Sequence, residues 1–176
     1  MVPAGCAGFR LARLRAPAAP AKLGAMRIGV ISDTHGLLRP AAVELLAGAD
    51  HIIHAGDIGR PEVIDGLREI APVTAVRGNV DMGAWAAAYP ETERVRLGGR
   101  SIHVLHNLAE LTLDPAADGI DIVVSGHSHR PKIETRGGVL YLNPGSAGPR
   151  RFSLPVALAT LELDDTGVRP RIHELA

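Results

Sequence analysis

Ile28-Gly29-Val30-Ile31-Ser32-Asp33-Thr34-His35 runs apolar through its first four residues and then delivers a carboxylate and an imidazole. No charge interrupts the run, and Val and Ile dominate it, so it reads as a buried strand. The form recurs four times. Ile52-Ile53-His54-Ala55-Gly56-Asp57 ends on Asp57, and Val73-Thr74-Ala75-Val76-Arg77-Gly78-Asn79 ends on Asn79. Ile102-His103-Val104-Leu105-His106 ends on His106, and Ile122-Val123-Val124-Ser125-Gly126-His127-Ser128-His129 ends on two imidazoles. In open α/β sheets, ligands bind outside the carboxyl ends of the strands. Seven oxygen or nitrogen donors at such ends exceed what packing requires. They point to a hydrolytic site built on two metal ions.

Working outward, the strands at 27–33, 51–57 and 73–78 alternate with helices over about 40–47 and 61–70. Each helix opens on a proline, which a first turn tolerates. This is a βαβαβ unit with parallel strands. The second half changes character. Residues 93–98 and 101–106 flank Gly98-Gly99-Arg100, and 132–136 and 139–143 flank Gly137-Gly138, both hairpin signals. A third hairpin turns at Asp164–Gly167. Parallel strands first and hairpins later predict two sheets packed face to face with helices outside.

The 176 residues suit one domain. Formal net charge is zero, so no general field advertises a nucleic-acid or membrane partner. No apolar run approaches the roughly 20 residues of a membrane span. Residues 1–25 carry Arg10, Arg13, Arg15 and Lys22 without an acid, leaving 15 basic against 19 acidic residues in the remainder. That stretch lacks strand or helix periodicity and is expected to be an unstructured tail or an extension ahead of a start at Met26. It has no long apolar h-region, so a secretory signal is not expected, and it is Arg-rich and acid-free like a transit peptide but nearly Ser-free unlike one. The folded domain is therefore expected over 26–176. Cys6 is the only cysteine, which excludes an intrachain disulfide and fits a reducing, cytoplasmic setting.

Asp, Asn and His donors without cysteine select borderline or hard divalent ions such as Mn²⁺, Fe, Zn²⁺ or Mg²⁺. One catalytic ion does not take seven protein donors, whereas two ions sharing a carboxylate do. Such a pair, about 3.5–4 Å apart, clamps both oxygens of an in-line phosphoryl displacement.

Asp33-x-His35, Gly56-Asp57, Gly78-Asn79, His106 and Gly126-His127-x-His129 together resemble the calcineurin-like metallophosphoesterases in order and spacing. The short chain and Asn143-Pro144-Gly145-Ser146 resemble the small YfcE-type phosphodiesterase branch, which is related to Vps29. The resemblance covers residues 26 to about 160. It implies an α/β fold, a four-layer α/β/β/α sandwich of two facing mixed sheets with outer helices. It implies a phosphodiesterase acting on a small phosphate ester, with two divalent ions, Mn²⁺ favoured and Fe, Zn²⁺, Ni²⁺ or Mg²⁺ as alternatives. Asp33, His35, Asp57 and His129 would hold one ion, and Asp57, Asn79, His106 and His127 the other. The nucleophile would be a hydroxide bridging them at Asp57. A phosphomonoesterase and a non-catalytic scaffold of the Vps29 kind are the alternatives, and homo-oligomerisation stays open.

Two departures from the family pattern stand out. Where many members carry His after the metal-binding Asn, this chain has Val80, which carries no proton. After His106 the usual Gly-His pair is replaced by Asn107-Leu108. Asp81 reads either as support for water or a ligand His, or as a turn residue. His54 reads as a supporting donor or a satisfied buried His. Arg150, Arg151 and Asn143, together with Asn79, are the candidate substrate contacts, although a solvated basic pair and a turn Asn explain the first three as well. Trp85 and Tyr89, in the stretch 82–92, belong to a flap or to an apolar patch.

Overall fold

The computed structural model describes residues 24–151 and 153–175, so most of the expected tail lies outside the described residues. The order is β1 (Met26–Ile31), α1 (Pro40–Leu46), β2 (His51–Ala55), α2 (Pro61–Arg68), β3 (Val73–Val76), β4 (Thr92–Leu97), β5 (Arg100–Leu105), β6 (Ile122–Val124), β7 (Lys132–Arg136), β8 (Val139–Asn143), β9 (Ala157–Asp164) and β10 (Gly167–Glu174). The three hairpins and both helices stand where the pattern places them. β1 and β2 end two residues before Asp33 and Asp57, because these adopt positive φ and cannot continue a ladder.

Two five-stranded mixed sheets result, ordered β10-β9-β1-β2-β3 and β4-β5-β6-β8-β7. The first holds the parallel trio β1, β2 and β3, with the final hairpin antiparallel beside β1. In the second, β5, β6 and β8 are parallel, and each of the other two hairpins contributes one outer antiparallel strand. The turn signals did not reveal this second parallel trio. Hairpin chemistry specifies the strand a chain returns along, not the strand that comes to lie on the other side.

Strand residues alternate between two apolar clusters. Ile28, Val30, Ile53, Ala55 and Val76 face Ile102, Val104, Ile122, Val124 and Leu142 between the sheets. Ile31 and Ile52 face outward onto Leu46, Ile64 and Leu67 of the two helices. Burial on both faces is why the period-two alternation is hidden in the sequence. The outer face of the second sheet is covered more thinly. There Leu105, Val123 and Val139 meet Leu108, Leu111 and Leu113 from the segment after β5, which forms a single 3-10 turn at Leu108–Glu110. Trp85 and Tyr89 pack on the helix-side cluster with their rings edge-on, so they anchor the stretch 82–92 to the first sheet.

Gly29 permits α1 to lie on β1, because a Cβ there would overlap the Leu46 side chain. Gly29→Ala is expected to cost about 1–3 kcal/mol by overpacking. The cost should be smaller in a Leu46→Ala background, where the methyl finds room. Urea unfolding of the two single variants and the double variant measures this coupling.

Candidate metal centre

All seven predicted donors come to the loops after β1, β2, β3, β5 and β6, at one end of the two sheets. Five of them, Asp33, His35, Asp57, His127 and His129, hold positive φ between 47° and 66°. Among the described residues no other non-glycine residue does so. Left-handed backbone is unfavourable for a side-chain-bearing residue and clusters at functional sites, with Asp and His among the better-tolerated types. Here it turns each side chain from its strand toward a common centre.

Donor atoms of Asp33, His35, Asp57 and His129 all lie within 4.8 Å of one another. His129 Nε2 is 3.1 Å from Asp33 Oδ1 and 3.4 Å from His35 Nε2, which is itself 3.8 Å from Asp57 Oδ2. Asp33 Oδ2 accepts from the Ser32 hydroxyl at 2.6 Å and from the His127 amide at 3.1 Å. Its Oδ1 is buried and lacks a hydrogen-bond partner among the described residues, since the His129 approach does not meet hydrogen-bond geometry. A desolvated carboxylate oxygen without a donor is costly unless a cation meets it. The atom fits a metal ligand.

A second group adjoins the first. His106 Nε2 lies 3.3 Å from Asp57 Oδ1 and 3.1 Å from Asn79 Oδ1, which is also 3.0 Å from His127 Nδ1. His106 Nδ1 donates to the Ala55 carbonyl at 2.8 Å, so its Nε2 lone pair points at two oxygen acceptors. Burial opposes a positive charge on His106, yet Asp57 and the Ala55 carbonyl outweigh it and raise its pKa. Burial likewise opposes ionisation of Asp57, and the His106 hydrogen bond outweighs it and lowers the carboxyl pKa. Both shifts say that positive charge is favoured between these groups.

The glycines of the motifs answer to contact. A Cβ at Gly78 would overlap the Asp57 carboxylate, and one at Gly126 would meet Ser32 and Asp33. Asp81 is buried and accepts from the amides of Ile58, Gly59 and Gly78 at 2.7–3.0 Å. It thus ties the loop carrying Asp57 to the loop carrying Asn79. His54 is fully buried between Thr34 and Gly56. The Thr34 hydroxyl donates to the Ile58 carbonyl at 3.0 Å, so His54 Nε2–H donates to Thr34 at 2.9 Å while Nδ1 accepts from Gly56 N. Asn143 donates to the Gly126 carbonyl and Ser128 hydroxyl and accepts from Gly145 N, so its amide braces the His127–His129 turn. Ser146 donates to the Asp33 carbonyl at 2.9 Å. Arg150 and Arg151 are exposed, and the charge of Arg151 reaches His35, where burial and then Arg151 oppose protonation against Asp57. Ser32 was not anticipated; its one signal is a lone hydroxyl closing an apolar strand.

The profile of the calcineurin-like phosphoesterase superfamily domain matches residues 26–166. The chain belongs to the calcineurin-like phosphoesterase superfamily. It is 38% identical over 155 residues to a Methanocaldococcus jannaschii protein named "probable metallophosphoesterase", covering 81% of this chain and 78% of that one. It is 29% identical over 170 residues to phosphodiesterase YfcE of Escherichia coli, covering 79% and 89%. Its fold is shared with Vacuolar Protein Sorting 29 from Cryptosporidium parvum, with a TM-score of 0.69, 21% identity and coverage of 86% and 98%. Family and donor set together point to divalent cations.

Within this phosphoesterase domain, His54 gives a pH signature. Burial lowers its pKa to about 4, and the Gly56 N–H aimed at Nδ1 leaves no room for a second proton. The folded pKa lies below the unfolded value, so this contribution is intact above pH 6.5 and is lost as pH falls through about 4. Metal-free protein is expected to lose about 3 kcal/mol from this group across that window. His54→Gln should show a correspondingly shallower fall, read from urea unfolding at a series of pH values.

Proposed function

We propose that this chain is a phosphodiesterase working with two divalent ions, Mn²⁺ favoured, on a small phosphate ester. One observation carries the reading. The two oxygens of Asp57 face different donor groups, Oδ2 toward His35 at 3.8 Å and Oδ1 toward His106 at 3.3 Å. A carboxylate so placed is the shared ligand that seven donors need to give each ion four. Asp33, His35 and His129 would complete one set, and Asn79, His106 and His127 the other. When bound, the ions supply Lewis acidity that turns water into hydroxide near neutral pH and neutralise charge on the phosphate. The chain's own residues orient the donors: Ala55 fixes the His106 tautomer, the Val80 amide holds Asp57 Oδ1 at 3.1 Å, and Asp81 locks the loops together. A cytoplasmic setting, which the single cysteine fits, belongs to the same reading.

The preference for diesters rests on position 80. Val80 is 41% exposed beside Asn79 and has no proton to give a leaving oxygen. Neighbouring Asp81 is buried with its oxygens engaged by three amides, and His54 is fully buried. A positioned general acid contributes about 10²–10⁴-fold, most where the leaving oxygen is basic. Activated aryl diesters are therefore the expected good substrates, and alkyl monoesters the poor ones.

Asp57→Ala is expected to lower turnover of bis(p-nitrophenyl) phosphate by about 10³-fold or more, the several kcal/mol a metal contributes. It should also empty both sites by elemental analysis, whereas His129→Ala chiefly empties one and His127→Ala the other. Two ions per chain and normal turnover in Asp57→Ala would sink the two-ion reading.

Val80→His should improve alkyl leaving groups by about 10²-fold while changing nitrophenolate little. The measurement is rate against leaving-group pKa for both proteins. A shallow slope that the substitution leaves unchanged would show that another group supplies the proton.

A further inference from the structure

Two clefts open on either side of a ridge formed by His127 and Asn107. The smaller, about 220 Å³, holds the donors Asn79 and His106 and is rimmed by Arg77, Glu91 and Glu110, a net charge of −1. The larger, about 330 Å³, runs from His127 down the outer face of the second sheet over β7 and β8. It carries Arg130, Lys132 and Arg136 against Glu134, a net charge of +2 in a described body that is otherwise mildly acidic.

These cations are ordered by the strand. Lys132, Glu134 and Arg136 alternate onto one face of β7, with Glu134 paired across to Tyr141 of β8. Glu134 lies 2.7 Å from both the Lys132 ammonium and the Arg136 guanidinium, which in turn sits 5.0 Å above the Tyr141 ring. Hydrogen bonds from Arg136 and then Lys132 hold the Glu134 carboxyl near a pKa of about 2, so it stays ionised and keeps them in place. Arg130 has no ion-pair partner among the described residues. The floor is mixed, with Leu108 and Tyr141 beside the charges. A cleft of this size, apolar below with a few placed cations, suits one organic substituent bearing an anionic group.

We propose that this basic cleft is the subsite for the ester arm that stays on phosphorus, and that it selects diesters whose arm ends in an anion. The inference rests on the phosphodiesterase reading for its turnover arm and on geometry alone for its binding arm. His127 belongs to the donor set and to the cleft wall, so a phosphate held at the centre directs one substituent over β7 and β8. The other substituent leaves over the acidic side, where Glu91 and Glu110 disfavour a second anion.

The test uses three p-nitrophenyl diesters with 3-carboxypropyl, butyl or 4-aminobutyl as the second arm, with bis(p-nitrophenyl) phosphate as reference. With Mn²⁺-loaded full chain, kcat/KM for the carboxypropyl ester should exceed that for the butyl ester by about 2–5-fold, the range of exposed charge pairs. The ratio should shrink as ionic strength rises from about 0.05 to 0.5 M. The chain carrying Lys132→Glu and Arg136→Glu should prefer the aminobutyl ester, a gain that misfolding does not produce. Turnover of the reference with equal rates for all three arms would overturn the subsite and leave the phosphodiesterase reading standing. If no diester is turned over, that reading fails, and calorimetry of 3-carboxypropyl phosphate against butyl phosphate decides the subsite. Tighter binding of the carboxylate-bearing monoester supports it, and equal binding overturns it.

Discussion

Left-handed backbone at Asp33, His35, Asp57, His127 and His129 is the constraint around which the rest of this protein is arranged. Each such residue costs about 1–2 kcal/mol relative to ordinary backbone. Five of them therefore approach the whole net stability of a typical domain. They persist because the neighbouring loops over-determine them. Asp33 N donates to the Gly56 carbonyl at 2.9 Å, His35 N to the Asp57 carbonyl at 3.0 Å, and His127 N to the Asp33 carboxylate at 3.1 Å. The residues that carry the conformation also receive the bonds that hold it. The centre and its scaffold are one network.

That network is polar and buried, which is the hard way to build a rigid site. Ser32, Asp33, Thr34, His54, Asp57, Asp81 and His106 are all withdrawn from solvent at the ends of otherwise apolar strands. Among their buried side-chain atoms the one without a partner in the described residues, Asp33 Oδ1, faces the donor cluster. A satisfied buried network is stiff, whereas one missing partner makes it costly. The free valence is thus concentrated where a cation would restore the balance, and the surrounding hydrogen bonds keep the donors from collapsing onto one another.

The sheets explain why the chain can place five loops so close together. Two parallel trios, β1-β2-β3 and β5-β6-β8, face each other across the inter-sheet core and lend strand ends to a common edge. Antiparallel partners are confined to the outer positions, where their turns do not crowd the site. The same arrangement leaves the outer face of β7 and β8 thinly covered beside the His127 turn. That opening is the basic cleft, and it exists because the segment after β5 contributes a single 3-10 turn there.

Local chemistry in the chain was enough to specify the strands, both helices, the three hairpin turns and the seven residues that converge at one end of the sheets. Each depends on neighbours in sequence: apolar runs, prolines at helix starts, glycine pairs, and a ligand type at a strand end. The order of parallel strands and later hairpins pointed to two facing sheets, and the resemblance of the motifs added the four-layer sandwich. What only the tertiary structure decided are features set by residues far apart in sequence. Asp81 and Asn143 look like turn residues alone, and each proves to bind backbone of a loop some 20 residues away. The placement of β8 beside β6, the return of β9 to β1, and the facing of the two Asp57 oxygens toward separate donor groups are likewise pairings across the chain. Sequence periodicity records which face of a strand is buried but not which partner buries it, because apolar contact is non-directional and any matching face would serve.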